Sequence, residues 1–390
     1  MITWIIHIII ISSLAFLVFR KLKTSLPTWM FWIGLVMKIS AGFVLGWIFY
    51  EYYGEGDTIS FFEMAKSFDD FATEEPRTQF FIRILTLLVY LSGGSYWITS
   101  AWLSFISFTA AWYATSQFSK AFPSIKVLTA SCFLIIPSIV FWSSGILKDT
   151  LAFAAMMVLI AAILKWYKRI NITVYDFIIA VISGYLLFHL KHYLIITCLI
   201  FGGLLVSVSL IKKVKSRWKW IIAAMVLALS LISTQFVHPY LKVEKLSWTI
   251  YETNRTILEK SDLEGQLDIE IKDASILAVI KEVPKALHAG LFRPSIYDKT
   301  PIWGWLHRIE NFILTILIIM SVSLYFKRNP PVDTPLFVSA LCCILLLAIM
   351  LPLATPNFGT LVRYKNAYMP YLFLICSILP YHYLSSKTKE

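Results

Sequence analysis

The sequence predicts an all-α polytopic membrane protein, and three observations carry that reading. Of 390 residues, 58% are hydrophobic and only 15% are charged, at a mean hydropathy of +0.72; a soluble domain carries about 25% charged residues. The apolar residues gather in runs close to the length a helix needs to cross a bilayer, about 20 residues. Between these runs, lysine and arginine concentrate in alternate short connections, as the positive-inside rule requires. The net charge of +12 is therefore assigned to membrane orientation, and nucleic acid is not expected as a partner. Cys132, Cys198, Cys342, Cys343 and Cys376 all fall in apolar runs, so neither a disulfide framework nor metal-ligand spacing is expected from them.

Taken in order, the expected crossings are residues 2–19, 28–50, 97–118, 125–142, 150–166, 175–190, 193–211, 218–237, 307–326, 335–353 and 366–384. The first lacks a basic n-region and a small-residue cleavage site, so it reads as a helix that stays. Residues 80–91 are apolar apart from Arg83 and Thr86, and Ser92-Gly93-Gly94 ends them early. They are expected to dip in and return, or to lie in the interface. The basic connections hold Arg20, Lys21 and Lys23, Lys120 and Lys126, Lys165 to Arg169, Lys212 to Lys219, Lys327 and Arg328, and Lys387 and Lys389. All of them share the cytoplasmic side if the chain makes about eleven crossings plus that short element. The expectation is one integral membrane domain, 1–390, with its N-terminus outside and its C-terminus inside.

This topology sends the chemically rich connections to the other face. Residues 51–79 form the first extracytoplasmic loop, acidic through Glu55, Asp57, Glu63, Asp69, Asp70, Glu74 and Glu75. Residues 142–149 and 189–193 are short outer turns, and 354–365 is another outer connection. Residues 238–306 form a long outer loop. There Ile276, Ile280, Val283 and Leu287 recur at helical spacing and Pro284 interrupts them, as in an amphipathic helix on the membrane surface. Trp303 and Trp305 mark its return to the interface.

Asp57 is the central candidate. A carboxylate just beyond a membrane helix is suited to accept a proton from a substrate hydroxyl, with Glu55 and Glu63 near enough to tune it or share a metal. The same residue equally suits a helix cap, with Thr58, Phe61, Phe62 and Ala65 following. In the stretch from Pro137 to Asp149, Ser143-Ser144-Gly145 leads into Lys148-Asp149 at a helix start. Backbone N–H groups, the helix dipole and the lysine there all favour phosphate; an ordinary capped turn with a snorkelling lysine is the alternative. His189, Lys191, His192 and Tyr193 place cationic groups close to the hydrocarbon, where an anionic headgroup would justify their cost. Arg363-Tyr364 supplies a fork for phosphate oxygens before the last helix. Arg293 and His288 are further candidates, with Glu310 and Asn311. Together these give one acidic loop and several cations on one face, fitted to a lipid-linked phosphate or diphosphate leaving group.

Gly56-Asp57 followed by Phe61, Phe62 and Ala65 resembles the first-loop signature of the C-type (GT-C) integral membrane glycosyltransferase superfamily. Pro137 through Trp142-Ser143-Ser144 to Lys148-Asp149 looks like its second landmark, and Arg363-Tyr364 like its late basic motif. The likeness covers roughly the first 170 residues in pattern and the rest in topology only. It implies a GT-C-like fold in a bacterial inner membrane and transfer of a sugar from a polyprenyl-phosphate or diphosphate donor to an acceptor hydroxyl of a glycan, lipid or protein on the extracytoplasmic face. By that resemblance Asp57 is the base and Asp149 a supporting acid or a metal ligand with Asp57. Lys148, Lys191, His192 and Arg363 are phosphate ligands. Mg2+ or Mn2+ is the implied cofactor, and no nucleotide is expected. Glu55 and Asp57 are split by Gly56 where an adjacent acidic pair is usual, and residues 2–19 precede the usual first helix. The extra helix brings in polysaccharide polymerases of the Wzy or EpsG-like kind, which use outer arginines. A transporter or flippase of lipid-linked saccharide is the remaining alternative; it calls for ionisable groups near the bilayer midplane, whereas the charges noted above cluster at one face.

Overall fold

The computed structural model describes residues 2–67, 74–213, 218–234, 243–298, 304–328 and 333–387. Asp69 and Asp70 of the acidic loop and Trp303 of the expected interface lie outside them. Among the described residues, 84% are helical and no strand occurs. It divides into two compact units, Met1–Ile195 and Ile196–Glu390.

In the first unit, α1 (Ile2–Lys21) and α2 (Thr28–Trp47) are followed by a π-helical turn, Ile48–Tyr53, and by α3 (Asp57–Ser67). Next come α4 (Pro76–Leu91), α5 (Tyr96–Ala121), α6 (Lys126–Leu134), α7 (Pro137–Trp142), α8 (Lys148–Tyr167) and α9 (Val174–Leu190). Local chemistry sets the ends. Pro76 and Pro137 sit in the first turns of α4 and α7, where the missing N–H costs nothing. Thr173 and Asp176 close a reciprocal capping box on α9. The long α5 is the core: it packs on α2, α6 and α8. It is buried along nearly its whole length, and Ser100, Ser104, Ser107, Ala110 and Ala114 let its neighbours approach closely. Gly42 of α2 shows how closely. A Cβ there would lie 2.4 Å from Ser104 Oγ and 3.1 Å from the Gly145 nitrogen.

The connections of this unit sort into two ends. At one, Lys126 reaches the Ser25 carbonyl and hydroxyl at 3.0 and 2.8 Å, Lys21 lies over the Tyr175 ring and Lys168 over Phe122. The acidic loop and the turns at 142–148 and 190–192 gather at the other.

The second unit contains most of α10 (His192–Lys213), then α11 (Lys219–Thr234), α12 (Val243–Lys260) and α13 (Ile276–Phe292). After these come α14 (Gly304–Arg328), α15 (Thr334–Ala354), α16 (Phe358–Tyr364) and α17 (Met369–Lys387). Asn254 is fully buried and donates to the carbonyls of Ile269 and Leu353, tying α12 to α15. The amphipathic helix expected in the long loop is α13, with Ser275 as its cap. Its Ala286, Ala289 and Gly290 are buried and the helix packs on α15, so its second half belongs to the protein interior and not to the membrane surface. A Cβ on Gly290 would stand 2.0 Å from the Ala348 carbonyl oxygen. Gly290→Val is expected to force these helices apart and destabilise the second unit by about 1–3 kcal/mol, read as a lower unfolding midpoint in detergent.

Among the described residues, six helices are long and apolar enough to cross a membrane, and a seventh is counted if α4 and α5, bent by 116° to each other, make one broken span. The six are Ile2–Lys21, Thr28–Tyr53, Lys148–Tyr167, His192–Lys212, Gly304–Phe326 and Thr334–Ala354. About eleven were expected, and the differences are local. The run 125–142 is broken ahead of Pro137 into α6 and α7, because proline cannot continue the ladder of the preceding turn. The run 175–190 gives α9, which is 17 residues long, and 218–237 gives 16 described helical residues. The run 366–384 becomes α17, which contains Pro380 and is not among the six. The short element at 80–91 is α4, ended by Gly93 and Gly94, both left-handed.

Candidate functional site

The site is built at the Asp57 end of the first unit. α2 runs out through the π-helical turn, Gly54 reverses the chain in the left-handed region, and the Gly56 carbonyl accepts the N–H groups of Ile59 and Ser60 to open α3. Asp57 is therefore the first residue of α3, exposed, with its charge at the positive end of the helix dipole. Gly56 thus takes the cap position that the sequence offered to Asp57, and Asp57 follows it as the first helical residue. Directly behind it, Thr58 is buried and shares a hydrogen bond of 2.6 Å with the Tyr96 hydroxyl. Phe61, Phe62 and Ala65 are buried in a cluster with Phe81, Ile82, Leu85 and Tyr96. That cluster fixes the face α3 presents. Glu55 and Glu63 are exposed.

Lys148 starts α8 and reaches towards this helix. Its ammonium donates to Thr78 Oγ1 at 2.9 Å and lies 4.7 Å from the centre of the Phe61 ring. Phe61 is one helical turn after Asp57 on the same side of α3, the spacing at which side chains neighbour each other. Lys148, from a distant segment, thus meets α3 at Phe61, one turn along the helix from Asp57. Asp149, buried, forms an ion pair with Lys191, whose ammonium also faces the Tyr193 ring. His189 stacks on Phe80 at 4.7 Å, and His192 is half-buried beside Tyr193. Asp57, Lys148, Asp149, Lys191 and His192 accordingly belong to one end of one unit.

The turn itself corrects an expectation. Ser143, Ser144 and Gly145 are buried; Ser143 and Ser144 donate back to the carbonyls of Ile139 and Val140, and the Gly145 N–H donates to Ser104 at 2.9 Å. These groups are engaged within the fold, whereas the Lys148 side chain extends to Thr78 and Phe61. The metal expectation on Asp57 and Asp149 meets a similar obstacle. The Lys191 ammonium already occupies the Asp149 carboxylate, and no group of three or more His, Cys, Asp or Glu residues suited to a metal occurs among the described residues. The described donor set does not fit a divalent cation.

Arg293, Arg363, Tyr364, Glu310 and Asn311 lie in the second unit. Arg293 is gripped by Asp298, with Nη2 to Oδ1 at 2.5 Å and Nε to both carboxylate oxygens, and it covers the Phe358 ring at 4.8 Å. Burial acts to raise the Asp298 carboxyl, but hydrogen bonds from Arg293 and Ser295 outweigh it and hold the group below its usual range. Arg293 therefore serves first as a clamp on residues 293–298. Arg363 and Tyr364 close α16, where the guanidinium lies 5.8 Å from the neighbouring ring.

Two lysines carry more weight than their sequence context suggested. Lys365 is buried and donates to the Arg293 carbonyl at 2.9 Å and to Asn311 Oδ1 at 3.2 Å. Burial pushes its ammonium down to about 7 from the ordinary 10.5, against the charge of Glu310. Between those values the unfolded chain holds a proton that the folded chain has released, so the second unit gains stability as pH rises through that window. Unfolding midpoints measured at pH 7 and at about pH 9.5 should show this gain, and Lys365→Met should flatten it.

Lys38 is the other. It is 3% exposed in the middle of α2, donates to Ser143 Oγ and lies 4.6 Å from the Phe153 ring. It is the single charge in the run 28–50, a signal the sequence contained. No protein-family model, curated protein or solved structure matches the chain.

Proposed function

We propose that the protein is a membrane glycosyltransferase, GT-C-like in kind. It moves a sugar from a polyprenyl-phosphate or diphosphate donor to an acceptor hydroxyl on the extracytoplasmic face of a bacterial inner membrane. The observation that supports this is Lys148 over Phe61, one turn from Asp57, with the Asp149–Lys191 pair behind it. Asp57 takes the proton of the acceptor hydroxyl, and the oxygen attacks the anomeric carbon. The bond to the lipid phosphate breaks with its electron pair on the phosphate, where Lys148 offsets the charge, and the anomeric centre inverts. Charge-assisted contacts of this kind contribute about 1.5–3 kcal/mol. Lys148→Met should therefore weaken the donor's apparent affinity by about 10- to 100-fold, measured as transfer by purified protein in detergent. An unchanged donor dependence would remove Lys148 from the site.

A second reading has an observation of its own. Lys38 donates to Ser143, the first of the non-helical residues 143–147 between α7 and α8, from the interior of an apolar helix. Buried ionisable groups next to broken helices are the mark of transporters. The charges therefore do not all cluster at one end, and a transporter or flippase of lipid-linked saccharide regains weight. Lys38→Met separates the two: a transferase keeps its turnover, whereas a transporter loses flux in reconstituted vesicles. For a Wzy-like polymerase the outer arginines would dominate, and the Asp298 clamp makes Arg363→Ala a cleaner probe of that reading than Arg293→Ala.

A further inference from the structure

Beside the Asp57 end, the first unit has an apolar groove of about 350 Å³ lined by Trp4, Phe43, Val44, Trp47 and Trp97. Trp4, Val44 and Trp47 are 38%, 46% and 52% exposed, on helices α1 and α2 that are each apolar enough to cross a membrane. The groove has a rigid wall. Trp97 packs edge-on against Phe43 and Tyr96, and its ring approaches Gly46 so closely that a Cβ there would stand 3.0 Å away. A hydrogen bond of 3.0 Å from Trp102 to His7 pins α1, which otherwise buries little of itself. In the turn that leads into Trp97, Thr3 lies 3.7 Å from the place a Cβ would take on Gly93, and Lys66 Cε lies 3.9 Å from the same place on Gly94, its ammonium 5.8 Å from the centre of the Phe62 ring. Lys66 is exposed and enters no ion pair among the described residues; Glu63, one turn earlier on α3, does not pair with it.

We propose that this groove is a lipid site that holds one acyl chain of an anionic phospholipid, with its phosphate at Lys66. The groove is too small for a helix, whose diameter with side chains is about 10–12 Å, and suits a single chain. Its three indoles are the side chains that settle at the boundary of hydrocarbon and headgroups, and the nearby cation lies against Gly94, three residues before the groove's Trp97. Charge and shape select the same occupant. The inference does not depend on the proposed transferase activity.

The test uses the full-length protein in nanodiscs containing phosphatidylglycerol or phosphatidylcholine, each with a photoactivatable diazirine in the acyl chain. Cross-linked peptides are then mapped by mass spectrometry. Labelling should concentrate on residues 43–47 and 97, with phosphatidylglycerol favoured by about fivefold, the preference one lysine confers near an anionic headgroup. Val44→Trp, at an exposed position, should fill the groove and abolish the local labelling. Lys66→Gln should bring the two lipids to equal labelling there. Labelling spread evenly over all exposed apolar helices, or equal for both lipids in the unsubstituted protein, would overturn the proposal.

Discussion

Replacing Asp57 with asparagine is expected to lower sugar transfer by about 10²- to 10⁴-fold, the usual contribution of a positioned general base, while the protein still inserts and folds. Asparagine keeps the size of the side chain. At the head of α3 the lost interaction of the charge with the helix dipole is worth about 0.3–1 kcal/mol. The anchors of the loop are independent of the carboxylate: Thr58 holds Tyr96, and Phe61 and Phe62 are buried in the cluster with Phe81 and Leu85. Loss of turnover with an unchanged unfolding midpoint therefore assigns chemistry to Asp57. Full activity in the folded variant removes it from the mechanism, and α3 is then an ordinary capped helix.

The second large effect falls on stability. The Asp149–Lys191 pair is nearly dry, its two side chains 5% and 10% exposed. Taking away one partner leaves a charge in an apolar surround, at a cost of about 3–5 kcal/mol. Lys191→Met and Asp149→Asn should each lower the unfolding midpoint sharply in detergent. The double variant should recover much of the loss, because a pair removed whole leaves nothing uncompensated. If the two single losses simply add, the residues are not coupled, and the joint between α8 and the turn before α10 has another origin.

Much of this end could be read from the chain. The spacing of Phe61, Phe62 and Ala65 gave the buried face of α3, and Lys148-Asp149 gave the start of α8. The pairing of Lys148 with Thr78 and Phe61 could not be read, since it joins segments 70 and 87 residues apart through packing alone. Lys38 was visible but averaged away, for one charge hardly alters the hydropathy of a long apolar run. The count of crossings failed for a related reason. Mean hydropathy registers how apolar a stretch is, and it is blind to the break at 135–136 that divides α6 from α7. Arg293 read as a phosphate ligand because its partner, Asp298, lies just beyond Pro294, and only the folded turn brings the two together.

The claim that most depends on measurement is the substrate class. Mass spectrometry of the lipids that co-purify with the unsubstituted protein and with Lys148→Met tests it directly. A polyprenyl phosphate or diphosphate species retained by the former and depleted in the latter is the predicted result. Bulk phospholipid alone in both samples would contradict the account and leave Lys148 as a membrane anchor.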